Sequence, residues 1–366
     1  MKFSVLQDTL ETALKQASAA VETKPRLPIL ANILVQTEGD GVWLVGTDLE
    51  LTIMSRIKAK VDREGSTTLH AKTFKEVVHL LSPERVDFDL DEGVEVTTVL
   101  NGTSKNRFKG KPAKEFPPIP TITEYAILID GGTFREAVRE VIYAVAREQA
   151  RPILTGVHVV IKNNIMKLEA SDGYRLAQCH VHIENIEGVE YEAVIPARIW
   201  KEAARGDAET IYFDLYQEKA YFMVGDMVLV SQLLEGKYPD FEAIIPKSYV
   251  TELDLDRKQL LKALKRAAIF AKDDNLASKI VSTEQGVEIY GVSPERGDLE
   301  DQMESDFTGE SLTVDVNLKY MQDVLNSFTE DVIRIKGNQW NEAIVMRPVA
   351  SRGLALIMPV IRQKRG

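Results

Sequence analysis

The stretch LEASDGYRLAQCHV, Leu168 to Val181, predicts two strands joined by a sharp polar corner at Ser171 to Gly173. Gly173 supplies the positive φ that such a corner often needs. The same shape occurs in VWLVGTDLELTI, Val42 to Ile53, and more loosely in GVEIYGVSPERGDLEDQ, Gly286 to Gln302. Since these copies are spaced by about 124 and about 121 residues, the sequence predicts a threefold internal repeat.

Each repeat also carries the same helical spacing of apolar residues. The three matching sets are Leu10, Ala13, Leu14 and Ala17; Phe134, Ala137, Val138 and Val141; and Leu260, Ala263, Leu264 and Ala267. A second helix in each repeat holds an equivalent aromatic residue, Phe74, Trp200 or Tyr320. The six predicted helices span residues 7–20, 71–82, 131–151, 197–206, 257–272 and 317–328.

Two helices set among alternating strands in each repeat predict an α+β fold. Linkers at Gly110 to Ile122, which is rich in proline, and at Glu235 to Ser248 separate the repeats. We therefore expect three domains, residues 1–122, 123–245 and 246–366, each with its two helices packed on antiparallel sheets.

The composition limits the class of protein. With 366 residues the chain is too long for one small core. Its single cysteine, Cys179, excludes an internal disulfide framework and fits a reducing compartment. The sequence shows no signal-peptide pattern and no long apolar run, so we expect a soluble cytoplasmic protein.

The charge is unevenly distributed. The net charge of −11 argues by itself against binding nucleic acid. The predicted helices nevertheless hold about 17 Lys and Arg against about 8 Asp and Glu, so the strands and loops carry the acidic excess. Solvated helix faces are the ordinary explanation, but equivalent helices gathered on one surface would form a positive strip able to hold a phosphate backbone. Without any zinc spacing, helix-turn-helix signature or RNP box, such contact should be independent of base sequence.

Several short segments, in this order along the chain, resemble the bacterial-type DNA sliding clamp, the β subunit of the replicative DNA polymerase. They are LPILANILV (Leu27 to Val35), SDGYRLA (Ser171 to Ala177), IPAR (Ile195 to Arg198), GKYPDFEAIIP (Gly236 to Pro246) and IMPV (Ile357 to Val360). The resemblance covers essentially the whole chain. It implies a homodimeric, head-to-tail ring of six similar domains, with helices lining a hole and sheets outside. Such a ring holds duplex DNA topologically, as a processivity factor and not as an enzyme.

The resemblance and the charge pattern together suggest which residues face DNA. The resemblance points to Lys24 or Arg26, and to Arg147 and Arg151 at the end of the first helix of the second repeat. The charge pattern adds Lys201, Arg205, Lys262, Lys265, Arg266 and Lys272.

A second implied surface is a pocket for short peptides of the replicative polymerase, the clamp loader and repair proteins. Its matching residues are Leu154, Ser171, Gly173, Tyr174, Arg175, Leu176, Pro246, Val250, Met358, Pro359 and Val360. Apolar side chains beside a few polar groups suit modest, reversible binding of an extended peptide. For Leu154, Leu176 and Met358 an ordinary core position is the alternative. The tail from Ile361 to Gly366 extends past the family's usual end and could crowd or extend the pocket.

Closure of the dimer is implied at Phe108 of one copy and at the neighbouring pair Ile269 and Phe270 of the other. One member of that pair falls off the buried stripe set by the apolar residues of its helix. An exposed apolar side chain at that position fits a subunit contact.

Other functions have weaker support. Cys179, His180 and His182 suggest a metal site, but strand alternation places the cysteine on the face opposite the histidines, and no further ligand completes a shell. A third possibility is a peptide-docking scaffold that has the clamp fold but no DNA function, and only the basic helices argue against it.

A two-metal nuclease built on Asp48, Asp172 and Asp298 is disfavoured because these are equivalent corners of separate domains. We expect no cofactor and no metal. Because the sequence lacks a GxxxxGK[ST] phosphate loop, a separate loader must open the ring.

Overall fold

The structure is a computed structural model that describes residues 1–120, 127–147, 150–184, 190–274, 276–349 and 353–361. This part of the chain has the predicted α+β fold, with two α-helices in each repeat. They are α1 Gln7–Ala17, α2 Ala71–His79, α3 Gly131–Val141, α4 Ala197–Ala204, α5 Arg257–Phe270 and α6 Leu318–Ser327. No helix in these ranges is both long and apolar enough to cross a membrane.

Strands surround the two helices of each repeat. The first repeat contributes β1 Lys2–Leu6, β2 Asn32–Glu38, β3 Gly41–Thr47, β4 Leu51–Lys58, β5 Lys60–Arg63, β6 Ser66–His70, β7 Arg85–Asp91, β8 Val96–Asn101 and β9 Ser104–Lys109. The second contributes β10 Ile127–Asp130, β11 Gly156–Lys162, β12 Ile165–Ser171, β13 Arg175–His182, β14 Tyr191–Pro196, β15 Thr210–Tyr216, β16 Lys219–Val224 and β17 Met227–Gln232. The third contributes β18 Thr251–Asp256, β19 Ala277–Thr283, β20 Gly286–Ser293, β21 Gly297–Met303, β22 Asp306–Gly309, β23 Leu312–Asn317, β24 Val332–Gly337, β25 Ile344–Pro348 and β26 Leu354–Ile357.

The predicted corner at Ser171 to Gly173 joins β12 to β13 and has a counterpart in the first repeat. The Ser171 hydroxyl donates to the Arg175 carbonyl oxygen at 2.7 Å, and the Asp172 carboxylate accepts from two backbone N–H groups after it. In the first repeat Thr47 and Asp48 make the same bonds. Gly173 has φ +90°, and Leu49, at the equivalent position, has φ +79°. Two repeats therefore share both the shape of this corner and its hydrogen bonds. The first repeat has leucine at the position of positive φ, a backbone conformation that glycine adopts at a lower energetic cost.

All six helices lie where the sequence predicts them, but α3 is shorter than expected. It ends at Val141 and continues only as a single 3₁₀ turn, Ile142–Ala144, so the prediction of a helix to residue 151 is wrong. The guanidinium of Arg175 donates to the Tyr143 carbonyl oxygen at 2.7 Å. That carbonyl is one of the unpaired groups of a helix end, and a side chain distant in sequence satisfies it.

The chain divides into two compact units, residues 1–131 with 198–233, and residues 132–197 with 234–366. The first unit holds a five-stranded sheet, β5-β1-β7-β8-β9, and an eight-stranded sheet, β10-β15-β16-β17-β4-β3-β2-β6. The second holds a nine-stranded sheet, β14-β11-β12-β13-β26-β25-β24-β18-β22, and a four-stranded sheet, β21-β20-β19-β23. Each long sheet therefore joins strands of two successive repeats through antiparallel backbone hydrogen bonds.

The predicted apolar stripes form the cores. Leu10, Ala13, Leu14 and Ala17 are buried in the first repeat, and the equivalent residues of α3 and α5 are buried in the others. Phe74 and Trp200 lie in the core as expected. Tyr320 is only partly buried, because the third repeat uses this position to line a surface pocket.

Glu140 of α3 is a buried carboxylate of the second unit. It accepts a hydrogen bond from the Cys179 thiol, and Gly353 packs so closely that a Cβ there would lie 2.6 Å from a carboxylate oxygen. Burial raises the pKa of Glu140, and the nearby charges of Glu136 and Glu330 raise it further. A group with a raised folded-state pKa destabilises the fold once it ionises, so stability declines as pH rises from the unfolded to the folded pKa.

We therefore expect Glu140→Gln to raise the melting temperature at pH 7.5 or above, by about 2–4 °C for each kcal/mol recovered. The amide oxygen still accepts from Cys179, while the buried charge is removed. Thermal unfolding followed by circular dichroism from about pH 4 to pH 8 checks this, and the gain should vanish below the ordinary Glu pKa of about 4.3. The control is Glu76→Gln, which changes an exposed carboxylate on α2. A gain that persists at pH 4, or an equal gain in the control, would show that the buried charge is not the cause.

Candidate functional site

Three of the predicted peptide-binding residues, Tyr174, Arg175 and Met358, meet where β13 begins and β26 ends. Arg175, the first residue of β13, is paired with Ile357, the last residue of β26. One position further out, the Met358 N–H donates to the Tyr174 carbonyl oxygen at 2.9 Å. The second and third repeats thus bring Tyr174, Arg175 and Met358 together by strand register alone.

Arg175 is the most constrained side chain of this region, with an exposed fraction of 6%. Its guanidinium donates to Asp172 at 2.9 Å, to Asp323 at 2.8 Å and to the Tyr143 carbonyl oxygen. The same group lies 4.5 Å from the centre of the Tyr320 ring, within cation–π range. Because these contacts occupy its donors, Arg175 is suited to position the pocket wall.

A pocket of about 410 Å³ opens beside this arginine. Its lining residues are Val145, Ala146, Arg147, Asp172, Tyr174, Arg175, Lys319, Tyr320 and Asp323. Sequence reasoning missed Tyr143 and Asp323 as supports of the pocket. The one available signal was at Tyr320, where a phenol replaces the fully apolar Phe74 of the first repeat.

The apolar residues predicted for the pocket divide into buried and exposed groups. Leu176 packs with Ala343, Val345 and Leu356, and Leu154 packs with Val194 and Tyr238. Both leucines are core side chains, the alternative raised for them from the sequence. Phe241 of the linker between β17 and β18 packs against both clusters and so connects them.

Met358, Tyr174 and Val250 are exposed, whereas Pro246, Pro359 and Val360 are half-buried. The Val360 N–H donates to the Asp315 carbonyl oxygen at 2.7 Å, which fixes the chain after Met358. The rest of the tail, residues 362–366, lies outside the described residues, as does any effect it has on the pocket.

A second network holds the linker beside this region. Tyr238 stacks on the His158 ring at 4.6 Å, and Glu242 pairs with Lys167 at 3.2 Å. Burial alone would raise the pKa of Glu169 beneath them. The His158 ring 3.5 Å away, a hydrogen bond from Gln178 and the charge of Lys167 outweigh burial and hold that pKa below its usual value.

The predicted DNA-facing residues are all exposed, but they differ in their partners. Arg266 pairs with Asp301 at 2.5 Å, and Arg205 pairs with Glu202 at 2.6 Å. Lys201, Lys262 and Lys265 make no ion pair with any residue that the structure describes. Lys262 and Lys265 stand three positions apart on α5 and share one face of that helix.

The basic excess is also more concentrated than the sequence count suggested. Within the observed bounds of the helices, α5 contains five basic residues and no acidic residue. α1 contains more acidic than basic residues, and α3 contains equal numbers of the two. The expectation that several equivalent helices are basic is therefore wrong in detail. The excess belongs mainly to the third repeat.

Arg147 and Arg151 do not lie at the end of a helix, because α3 stops at Val141. Arg147 lines the pocket beside Arg175, and the Arg151 guanidinium lies over Gly173, 3.8 Å from where a Cβ would stand. Lys24 and Arg26 are exposed in the loop between α1 and β2.

The residues predicted for the dimer contact differ in how much of each side chain is exposed. Ile269 is 55% exposed on α5, as expected for the member of the pair that leaves the buried stripe, and Phe270 is half-buried. Phe108 is only 9% exposed and packs edge-on against Phe74 at 5.4 Å, so most of its surface belongs to the core of the first repeat.

The residues weighed for catalysis have structural roles here. Asp48 pairs with Arg198, and Asp172 pairs with Arg175 while capping its own corner. Cys179 is buried and both His180 and His182 are exposed, on the opposite face as predicted. Among the described residues, no cluster of three or more His, Cys, Asp or Glu has the geometry to hold a metal ion.

Comparison with known proteins gives a consistent result. Models of the DNA polymerase III beta subunit match in three consecutive parts: the N-terminal domain at residues 1–120, the central domain at 128–240 and the C-terminal domain at 242–361. The beta sliding clamps of Synechocystis sp. and Bacillus subtilis are each 28% identical to this chain, over 98% of it and 99% of their own length. Among solved structures, the sliding clamp of Bacillus subtilis has a TM-score of 0.95 at 27% identity. The beta subunit of Thermotoga maritima has a TM-score of 0.91 at 26% identity, and both cover 99% of this chain and 100% of their own.

We expect Arg175→Met to destabilise the second unit strongly, by about 3–5 kcal/mol, because it leaves two carboxylates without their shared cation. The matched control is Lys319→Met, which removes an exposed cation from the same Asp323 and should cost about 1 kcal/mol or less. Urea unfolding of the full chain measures both. Equal destabilisation in the two variants would show that burial of the arginine contributes nothing special.

Proposed function

The chain belongs to the DNA polymerase III beta subunit family, and we propose that two copies close into a ring around duplex DNA and tether the replicative polymerase to it. The protein is a processivity factor and not an enzyme. The proposal rests on one observation. Three clamp domains follow one another along the chain, and in each sheet shared by two repeats the last strand of one repeat pairs with the second strand of the corner hairpin of the repeat before it. The boundaries of these domains at residues 122 and 245 stay predictions.

This pairing rule is visible twice within one chain. The last strand of the second repeat, β17, pairs with β4 of the first, and the last strand of the third, β26, pairs with β13 of the second. β4, β13 and β21 are equivalent, since each is the second strand of the corner hairpin. The same rule matches β21 with the last strand of a first repeat, β9. Both are edge strands of their sheets within the described part of the chain, so the rule assigns this pairing to two different copies.

The charges on these two edges support the pairing. β9 exposes Lys105, Arg107 and Lys109, whereas β21 exposes Asp298 and Glu300. Complementary charges of this kind guide association and fix its register, and they also disfavour pairing of an edge with its own copy. Ile269, exposed on the helix that packs beside β21, supplies apolar surface at the same junction, and Phe270 adds a half-buried ring. The exposed edge of Phe108 is its proposed counterpart.

DNA would be held loosely inside such a ring. Lys201, Lys262 and Lys265 are lining candidates that lie exposed on helices and make no ion pair with a described residue, and Lys24, Arg26 and Lys272 are further candidates. A small number of such cations gives weak interactions with the phosphate backbone, which are independent of sequence. Weak interactions suit sliding, because the closed ring rather than affinity retains the DNA.

The pocket around Tyr174, Arg175 and Met358 is the proposed docking site for partner peptides. Leu154 and Leu176 form its apolar support, Arg175 fixes its wall, and Tyr174 and Met358 present exposed side chains. The partners we propose are the replicative polymerase, the clamp loader and repair proteins. The DNA partner and the single cysteine fit a reducing, cytoplasmic location.

Molar mass by light scattering tests the ring directly. We expect a mass near twice 41.0 kDa for the wild type, and near 41.0 kDa for Ile269→Asp at submicromolar concentration. A buried carboxylate without a partner would oppose closure. The matched control is Leu128→Asp, which changes a residue of 53% exposure on β10 and should leave the mass unchanged. A monomeric wild type would overturn the ring, and a dimeric Ile269→Asp would remove this residue from the interface.

Binding to a short duplex at several salt concentrations tests the lining. We expect Lys262→Ala with Lys265→Ala to reduce the slope of log K against log salt by about 0.9 for each phosphate that the variant no longer neutralises. Lys258→Ala on the same helix is the control, since Lys258 pairs with Asp331 at 2.9 Å, and its slope should stay near that of the wild type. Slopes unchanged in the double variant would place the DNA-binding surface elsewhere.

A further inference from the structure

Five neighbouring strands of the nine-stranded sheet begin or end at the same level of the sheet, and the residues at that level form a row across it. β13 begins at Arg175, β26 ends at Ile357, β25 begins at Ile344, β24 ends at Gly337 and β18 begins at Thr251. Backbone pairing connects this row across the sheet, from Arg175 with Ile357 and Ile357 with Ile344 to Gly337 with Thr251. The residues just beyond the row therefore lie side by side along one border of the sheet.

Exposed apolar side chains occupy this border at both ends. Tyr174 and Met358 stand at the β13 end, and Val250 stands at the β18 end. The Val250 N–H donates to the Asn338 side-chain oxygen at 3.0 Å, and the Asn338 amide donates to the Ser248 carbonyl oxygen at 3.2 Å. The turn between β24 and β25 is thereby fixed to the start of β18.

Trp340 lies in that turn, between the two ends, and is 60% exposed. It is the most exposed of the three tryptophans, because Trp200 is buried and Trp43 is half-buried. The residues that follow the turn are not free surface, because Ala343 and Val345 are buried in one cluster with Leu176, the residue after Arg175. An exposed indole on a turn that is anchored on both sides offers a rigid surface for contact with a binding partner.

We propose that Trp340 is a second anchor of the peptide-docking site and binds an apolar or aromatic side chain of a partner peptide that runs along this border. The inference rests on the proposed peptide pocket and extends it. Continuity of the border is the reason for choosing a peptide as the occupant: the same row that carries Tyr174 and Met358 leads past Trp340 to Val250.

The distances suit a short extended segment. Four strand spacings separate β13 from β18, or about 19 Å at about 4.8 Å each. An extended chain advances about 3.3 Å per residue, so about six residues cover the border. A peptide with one anchor at the Tyr174 end would therefore place a residue about three or four positions away beside Trp340. Partners whose apolar anchors have this spacing should bind more tightly than partners with one anchor.

Two synthetic peptides labelled with fluorescein test the proposal by anisotropy with the full-length protein. The short peptide carries a Leu-Phe pair alone, and the long peptide adds six residues in which a second Phe lies four positions from the pair. We expect the long peptide to bind the wild type more tightly, and Trp340→Ala to weaken only the long peptide, by about tenfold. Trp340→Phe should restore most of the affinity because it keeps an aromatic face. Val332→Ala, at the other end of β24 with 44% exposure, is the control.

Each outcome decides the matter. Equal binding of both peptides to Trp340→Ala and wild type overturns the anchor while leaving the peptide pocket in place. Weakening of both peptides to the same extent also overturns it, since the substitution then acts through the fold. Failure of both peptides to bind the wild type overturns the pocket and the anchor together. A change of molar mass in Trp340→Ala overturns the proposal in favour of an interface between copies.

Discussion

Backbone pairing between successive repeats is the constraint on which the rest of the structure depends. β17 adds to β4 and β26 adds to β13, so the second repeat supplies one strand edge to the first repeat and receives one from the third. Antiparallel pairing fixes the register residue by residue, because a shift of one position would turn every side chain to the opposite face. The position of the proposed peptide pocket follows: it lies where the register brings the start of β13 beside the end of β26.

The same register explains why one residue can serve both fold and function. Arg175 begins β13, satisfies the carbonyl oxygen at the end of α3, and neutralises carboxylates from two different repeats. The exposed side chains on each side, Tyr174 and Met358, are held by the backbone bond between them. The wall formed by Tyr174, Arg175 and Met358 is therefore held in place by the sheet that begins and ends there. Rigid walls reduce the entropy that a binding peptide has to overcome.

The features that the sequence predicted are those set by local periodicity. The three repeats, the buried stripes such as Leu260 to Ala267, and the corner at Gly173 all follow from spacing within a few residues. The features it missed depend on partners distant in the chain. The Tyr143 carbonyl oxygen after α3 is bonded by Arg175, Arg266 pairs with Asp301 on β21, and Phe108 packs against Phe74 of α2. Net charge on a helix likewise says little about which cations are available to DNA, since pairing partners come from other elements. No sequence periodicity pointed to Trp340, because its proposed role depends on the row of strand ends beside it.

The chemistry of the joining strands differs between junctions within a chain and the proposed junction between copies. Inside a chain, β4 and β17 meet with apolar residues on both, such as Ile53 opposite Leu229, and these side chains are buried. At the proposed junction β9 and β21 present lysine, arginine, aspartate and glutamate to solvent. Apolar surface buried in the first kind stabilises by about 25 cal/mol for each Å² and is little affected by salt. Exposed charge pairs of the second kind contribute about 1 kcal/mol or less and are screened within about 8 Å at physiological ionic strength. In the proposed ring the junction between copies therefore depends more on charge than the pairings within each chain do, and the apolar surface of Ile269 and Phe270 is its main contribution of the first kind.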